Sequence, residues 1–192
     1  MKILVINNSF WNFYNFRLKL LSEIKRSINS EIHLVAPYDN YFDRLNSYNG
    51  FNCHFLNFNS SNTNPFSNLL LLLRFYLITK KINPDLCLIL GDRYEVYAFG
   101  LCCYINGIKI AHIHGGELSI GSFDDGFRHS LSKFSSIHYA SHDIHKKRLI
   151  SLGENPKSIF NYGAPGAENA KSFLKKKKIN NLNFKNIKKK KN

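Results

Sequence analysis

The chain is short of cysteine and of acid and has no long apolar run, and each shortage narrows the choices. Its four cysteines, Cys53, Cys87, Cys102 and Cys103, form no CxxC pair and sit mostly among apolar neighbours. Buried, reduced thiols are therefore expected, which suits a cytoplasmic protein better than a disulfide framework. No signal peptide is read at the start, because the apolar stretch Met1 to Ile6 is too short and Asn7-Asn8 follow at once. Leu69–Leu73 is apolar, but Arg74, Lys80 and Lys81 confine that segment well below the ~20 residues of a membrane span. It reads as a core-facing helix, and no transmembrane segment is expected. The first strand-to-helix turn lacks GxGxxG, so a dinucleotide phosphate cradle has no support there and no cofactor is implied. Neither HExxH nor a Cys/His ligand spacing occurs, so no metal site is expected.

Acids number 13 against 27 basic residues, for a net charge of +14. Lys171 to Asn192 holds ten lysines and no acid, which leaves the other 170 residues at only +4. The basic balance belongs mainly to this Lys/Asn-rich tail, residues 167–192, which reads as a disordered, solvated end. Contact with nucleic acid through such a tail would be non-specific and salt-dependent, because it would rest on counterion release. No specific nucleic-acid partner is expected.

What is present is an alternation of short β-rich runs and longer helical stretches. The runs are Lys2–Ile6, Glu31–Ala36, Phe51–Leu56, Leu86–Leu90, Ile108–Ile113 and Ile137–Tyr139. Helical spacing covers about 14–28, 40–48, 66–82, 94–105, 125–135 and 142–152. Asn64-Pro65 can open the third helix and Asn83-Pro84 can end it. Alternating elements of this kind build an α/β fold, a Rossmann-like parallel sheet with helices on both faces, over residues 1–166. Phe10, Trp11, Phe13, Tyr14 and Phe16 are too many aromatics for an ordinary loop. They read either as packing on the sheet edge or as a surface for a sugar or a partner.

Residues 91–129 carry the chemistry. Gly91-Asp92-Arg93, His112-Ile-His114-Gly115-Gly116-Glu117 and Asp124-Asp125-Gly-Phe-Arg128-His129, with Glu95 between the first two, gather five acids, two arginines and three histidines beside short apolar runs. Polar groups at the ends of buried strands are where an open α/β sheet builds its ligand site. The glycine pair between His114 and Glu117 allows a sharp turn and close approach of a ligand. Each group also has a plainer role open to it. Asp92 could cap a helix in a box with Glu95. Asp124 and Asp125 could simply favour a helix N-terminus, and Arg93 and Arg128 could pair with the acids instead of a ligand. His112 reads as a satisfied core histidine, while Lys146-Lys147-Arg148 reads as a solvated helix face.

From about residue 84 to 170 the chain resembles the UDP-N-acetylglucosamine 2-epimerases, in particular the hydrolysing branch that forms N-acetylmannosamine for sialic-acid-type sugars. The residues that carry this are Pro84-Asp-Leu-Cys-Leu-Ile-Leu-Gly-Asp-Arg-Tyr-Glu95, Ile110-Ala-His-Ile-His-Gly-Gly-Glu117, Asp124-Asp-Gly-Phe-Arg-His-Ser-Leu-Ser-Lys133 and Asn161-Tyr-Gly-Ala-Pro-Gly166. The resemblance implies the N-terminal half of a two-domain glycosyltransferase-B-type fold, with the C-terminal nucleotide-binding domain absent from these residues. Residues 1–80 look closer to the acceptor-side domain of family-four glycosyltransferases, which supplies the alternative reading. A non-catalytic remnant or binding module is the third. Asn7-Asn8-Ser9 stands where the family usually has a Gly-Thr-Arg-type turn, and many relatives place a glutamate where His114 stands.

The implied reaction removes UDP from C1 and a proton from C2, then adds water with inversion at C2. Carboxylates fit as bases and as stabilisers of positive charge at C1. The resemblance assigns Asp92, Glu117 and Asp124 as catalytic. It assigns Arg93, His114, Gly115, Gly116, Asp125, Arg128 and His129 to the substrate. Clustering these acids is expected to raise at least one of their pKa values. The expected partners are a UDP-sugar substrate and either a separate C-terminal domain or a second copy, and activity of these residues alone is expected to be weak.

Overall fold

A computed structural model describes residues 1–48, 50–58, 64–164 and 166 of the 192. The tail, and with it the expectation of disorder over 167–192, lies outside the described residues. Seven parallel strands form one sheet: β1 Lys2–Ile6, β2 Glu31–Ala36, β3 Asn52–Phe55, β4 Leu86–Leu90, β5 Lys109–Ile113, β6 Ile137–Ala140 and β7 Ile159–Asn161. Their order is β3-β2-β1-β4-β5-β6-β7. The chain winds outward from β1 to β3, returns to the other side of β1, and continues to β7. The reversal between β1 and β4 is the point at which sheets of this type leave a crevice at their carboxyl ends.

The helices are α1 Phe10–Asn12, α2 Leu18–Ile28, α3 Pro65–Ile82, α4 Tyr94–Ile105, α5 Asp124–Phe134 and α6 Asp143–Ser151. Strands covered on both faces need apolar side chains in both directions, and β1 and β2 are buried at every position after their first. On one face Leu4, Ile6, Ile89 and Ile110 pack with Phe75 of α3, Phe99 of α4 and Leu131 of α5. On the other, Ile3, Val5, Leu34 and Leu88 pack with Phe10, Phe13 and Leu21 from the α1–α2 segment. Beyond α2 this second face is left with an apolar groove of about 490 Å³ over β4 to β6, lined by Ile3, Leu88, Ala111, Ile113 and Tyr139.

Local chemistry sets the ends of α3. Asn64 Oδ1 accepts from the Phe66 amide at 3.0 Å, with Pro65 at the first helical position. Asn83 then closes the helix in the left-handed conformation at φ 47°, directly before Pro84. The aromatic turn differs from the expected helix over 14–28. Helical structure starts at Phe10, and a π-helical stretch, Phe13–Arg17, separates α1 from α2. Phe10 and Phe13 are buried, while Trp11 and Phe16 lie outward in an edge-to-face pair at 5.3 Å. The packing role thus holds for Phe10 and Phe13, while Trp11 and Phe16 lie at the surface. Over 40–48 the expected helix is a π-helical stretch, Arg44–Tyr48. Strand β7 had no counterpart in the sequence reading.

All four cysteines are free thiols, three of them buried, and burial pushes Cys53 up to about 12 and Cys102 up to about 11. No helix among the described residues is long and apolar enough to cross a membrane.

Candidate active site

Because β4, β5 and β6 are neighbours, the turns that leave them meet at one edge of the sheet. Asp92 follows β4, His114 to Glu117 follow β5, and Ser141 follows β6. Arg128, on the first turns of α5, reaches back beneath all of them. Its Nη1 donates to the His114 carbonyl at 3.1 Å and lies 3.5 Å from Glu117 Oε2. Its Nη2 donates to Ser119 Oγ at 2.9 Å and pairs with Asp92 Oδ2. The Arg128 side chain is only 8% exposed, so it holds the acids together from inside and is not open to a ligand.

Glu117 is fully engaged. Its Oε1 accepts from Ser141 Oγ and lies 2.6 Å from His114 Nδ1, and its Oε2 faces Arg128. Burial alone would raise its pKa, but the bonds from Ser141 and His114 and the Arg128 charge outweigh burial and hold the carboxyl below its ordinary value. For Glu117 the outcome is the reverse of what clustered like charges alone would give, because a guanidinium lies beside it.

His114 has φ 69°, a left-handed conformation that is uncommon for a side chain of this size. Two bonds hold it there: its amide donates to the Tyr139 carbonyl at 3.0 Å, and its own carbonyl accepts from Arg128. This conformation goes with the Nδ1 contact to Glu117, and Nε2 is left without a hydrogen-bond partner among the described residues. His112, two residues earlier, is the core histidine expected. Its Nδ1 meets Ser132 Oγ at 3.2 Å and its Nε2 meets the Gly91 carbonyl at 3.0 Å. Complete burial lowers its pKa to about 4, against a smaller upward effect of the Gly91 bond.

The glycine pair serves the protein's own packing. Gly116 has φ 76°, and a Cβ there would lie 2.4 Å from the His145 carbonyl oxygen of α6. At Gly115 a Cβ would press on His112 Nδ1 at 3.2 Å and Ser132 Oγ at 3.3 Å. The close approach is therefore made by α6 and the buried histidine. Arg148 of α6, read as part of a solvated face, donates to the Gly116 carbonyl and locks the same turn.

The two aspartates that open α5 separate. Asp125 Oδ1 accepts from the Ser119 amide at 2.8 Å, and its Oδ2 lies 3.4 Å from His129 Nε2, one helical turn on. Asp124 is not joined to the Arg128 cluster: its carboxylate has no hydrogen bond or ion pair among the described residues. The Asp92 capping box does not form, since α4 begins at Tyr94 with Arg93 as its N-cap residue. Glu95 is buried and lies 3.4 Å from Arg93 Nε instead.

Asp92 and Arg93 also line a cavity of about 240 Å³ at the winding reversal, with Asn7, Asn8, Arg17 and Glu95. Ser9 caps α1 by accepting from the Asn12 amide at 3.1 Å, so the turn that replaces the family's Gly-Thr-Arg closes on itself. The sequence reading missed Ser119 and Ser141. The rule that drew attention to Asp92 would have found Ser141, which also stands directly after a strand. Among the described residues no group of three or more His, Cys, Asp or Glu side chains is arranged to hold a metal ion.

Residues 25–192 match the family model for UDP-N-acetylglucosamine 2-epimerase, and the chain belongs to that family. The match begins within α2, well upstream of Pro84, so most of residues 1–80 fall inside it and the glycosyltransferase alternative gains nothing. Among curated relatives, the chain is 45% identical over 100 residues to the GDP/UDP-N,N'-diacetylbacillosamine 2-epimerase (hydrolyzing) of Campylobacter jejuni, covering 51% of this chain and 26% of that one. It is also 45% identical over 89 residues to polysialic acid biosynthesis protein P7 of Escherichia coli, covering 46% and 23%. A solved UDP-GlcNAc 2-epimerase from Neisseria meningitidis, bound to UDP-GlcNAc, has the same fold with a TM-score of 0.71 at 19% identity, covering 94% of this chain and 50% of that one. The chain thus matches about a quarter of the length of these curated relatives and half of the structural one.

Proposed function

We propose that the chain carries the sugar-handling half of a hydrolysing 2-epimerase that acts on a UDP-linked 2-acetamido sugar and yields UDP and the free sugar inverted at C2. The observation that supports this most is the His114–Glu117 pair at the end of β5, tied through Arg128 to Asp92.

The C2 hydrogen of such a sugar is not acidified by a carbonyl. A base must therefore act as UDP departs and positive charge grows at C1. Glu117, with both oxygens occupied, is a positioning residue: it accepts the Nδ1 proton of His114 and leaves the Nε2 lone pair facing outward. In the elimination, Nε2 takes the C2 proton, the C1–O bond breaks, UDP leaves with the electron pair, and a C1–C2 double bond forms. The free Oδ1 of Asp92 stabilises the charge at C1. Water then gives its hydroxyl to C1 and its remaining proton to bulk solvent, while a proton reaches C2 from the opposite face. Inversion needs a second donor for that step, and the unpaired carboxyl of Asp124 suits it. In this scheme the histidine takes the place of the glutamate that many relatives carry.

Arg93, Asp125 and His129 flank these groups and are assigned to hold the substrate. Arg128, Gly115 and Gly116 act indirectly, by building the turn. The buried reduced thiols fit a cytoplasmic setting for this chemistry. Incubating the purified chain with UDP-N-acetylglucosamine and, separately, UDP-N,N'-diacetylbacillosamine tests the proposal, with UDP and the released sugar followed by NMR. The expected result is slow release of UDP and a C2-inverted sugar from one of the two, abolished in His114→Gln. Failure to bind either nucleotide sugar in saturation-transfer experiments would overturn it.

A further inference from the structure

Among the described residues Glu95 is the most deeply buried acid, with its side chain 1% exposed. Neither of its carboxylate oxygens accepts a hydrogen bond. Arg93 Nε stands 3.4 Å from Oε1, but without hydrogen-bond alignment and on a side chain 55% exposed. A buried carboxylate without donors is costly to keep. Glu95 lines the cavity at the winding reversal, and so does Arg17, whose Nε is likewise buried and without a partner among the described residues. Arg17 comes from the segment after β1, and Glu95 from the first turn of α4 after β4. An unmet donor and an unmet acceptor thus enter one cavity from the two sides of the reversal. Asn12 Nδ2 donates to Asn8 Oδ1 nearby, and Leu90 and Val96 supply apolar wall.

We infer that this cavity holds the 2-acetamido group of the sugar, whose N–H donates to Glu95 and whose carbonyl accepts from Arg17. The assignment rests on the function proposed above. Asp92 lines the same cavity, and its free oxygen is assigned to C1, so the substituent on the neighbouring C2 is the group that reaches in. At about 240 Å³ the space is below the ~300 Å³ at which sites for whole drug-sized ligands begin, and it takes one substituent, not the nucleotide. A secondary amide carries one donor and one acceptor on opposite sides, and Leu90 and Val96 can cover its methyl. A phosphate fits less well, because it brings acceptors only and sets a second negative charge beside Glu95. A cation is disfavoured by Arg17 and Arg93, which line the same space. A hydroxyl at C2 is too short to meet both groups. Glu95 and Arg17 are therefore specificity residues, since buried polar groups reject the analogue that leaves them unpaired.

Titration of the purified chain with UDP-N-acetylglucosamine, UDP-glucose and UDP, followed by saturation-transfer NMR, tests this beside urea unfolding of the same proteins. The native chain is expected to favour the acetamido sugar over UDP-glucose by about tenfold or more, the worth of a hydrogen bond to a charged group. Glu95→Met is expected to equalise the two sugars, to leave UDP affinity unchanged, and to keep the urea midpoint equal or raise it. An apolar side chain in place of an unpartnered buried charge removes a cost, so stability and binding should part company. Should that variant fail to fold, Arg17→Met supplies the second reading and should equalise the sugars in the same way. A native chain that does not discriminate, or discrimination that survives in either folded variant, would overturn the assignment and leave the proposed function standing. A lower midpoint together with weaker UDP binding in Glu95→Met would show a fold-supporting role and overturn it too. A chain that binds none of the three nucleotides would remove the proposed function, and this assignment with it.

Discussion

Arg128 is the side chain on which the site depends. It is buried, with Asp92 on Nη2 and both Glu117 and the His114 carbonyl on Nη1, so its loss removes the one cation that these two carboxylates share. Removing one partner of a buried ionic cluster typically costs about 3–5 kcal/mol, mostly from the groups left unpaired. Arg128→Met is therefore expected to lower the stability read from urea unfolding by about 3 kcal/mol. A change of less than about 1 kcal/mol, the usual worth of an exposed pair, would mean that the cluster is a surface feature.

His112 makes a different prediction at the same scale. Its folded pKa of about 4 lies below the ordinary 6.5, because burial favours the neutral ring. The unfolded chain then binds more protons between these values. The stabilising contribution is complete above pH 6.5 and is lost as pH falls toward 4, by about 3 kcal/mol at most. Urea unfolding across that window should show the loss, and His112→Gln should flatten it. An unchanged slope in the variant would show that another group controls the acid limb.

At the scale of elements, the turn after β5 separates two kinds of glycine requirement. Gly91 and Gly116 both have positive φ, but a Cβ on Gly91 meets nothing within 4 Å, while one on Gly116 meets the backbone of α6 at 2.4 Å. Gly91→Ala should cost about 1 kcal/mol of backbone strain. Gly116→Ala should cost at least about 2 kcal/mol, because α6 must also move. Equal losses for the two in thermal unfolding would show that α6 gives way freely.

Elements of this kind were legible in advance to different degrees. All six expected strands lie within one residue of their predicted bounds at both ends, and β1, β2 and β4 were the plainest because they are buried on both faces and read as apolar runs. The ends of α3 were legible because Asn-Pro pairs write the caps directly. The π-helical stretch Phe13–Arg17 was not, since aromatic crowding fixes the burial of Phe10 and Phe13 without fixing the helical pitch. Strand β7 escaped because Ile159 is its one buried residue. Within the site, residue types were readable but their convergence was not. Asp124 and Asp125 are equivalent as text, and only the Ser119 amide, brought round by the loop, distinguishes them. That Arg128 faces the acids across 36 residues depends on where α5 lies against the sheet.

For the whole molecule, the carboxyl-end surface of the sheet is an open wall. The structural relative from Neisseria meningitidis is about twice as long as the part these residues match. Electrostatic catalysis at such a wall gains strength when a second wall excludes water. The 192 residues alone are therefore expected to turn over with kcat well below the roughly 1 per second at which ordinary enzymes begin. Steady-state UDP release at or above that rate would show that one wall suffices.

The measurement that bears most directly on the site is solvent deuterium incorporation at C2. Prolonged incubation of the chain with the two nucleotide sugars proposed above in deuterium oxide, followed by mass spectrometry of any released sugar, reads proton removal and return at that carbon even when turnover is slow. Proton abstraction by His114 held by Glu117 predicts one deuterium at C2 in every product molecule. It also predicts a large fall in product formation for His114→Gln and a smaller one for Glu117→Gln. Release of UDP with the original C2 hydrogen retained would contradict the account, because it would mean bond cleavage at C1 without any base acting at C2.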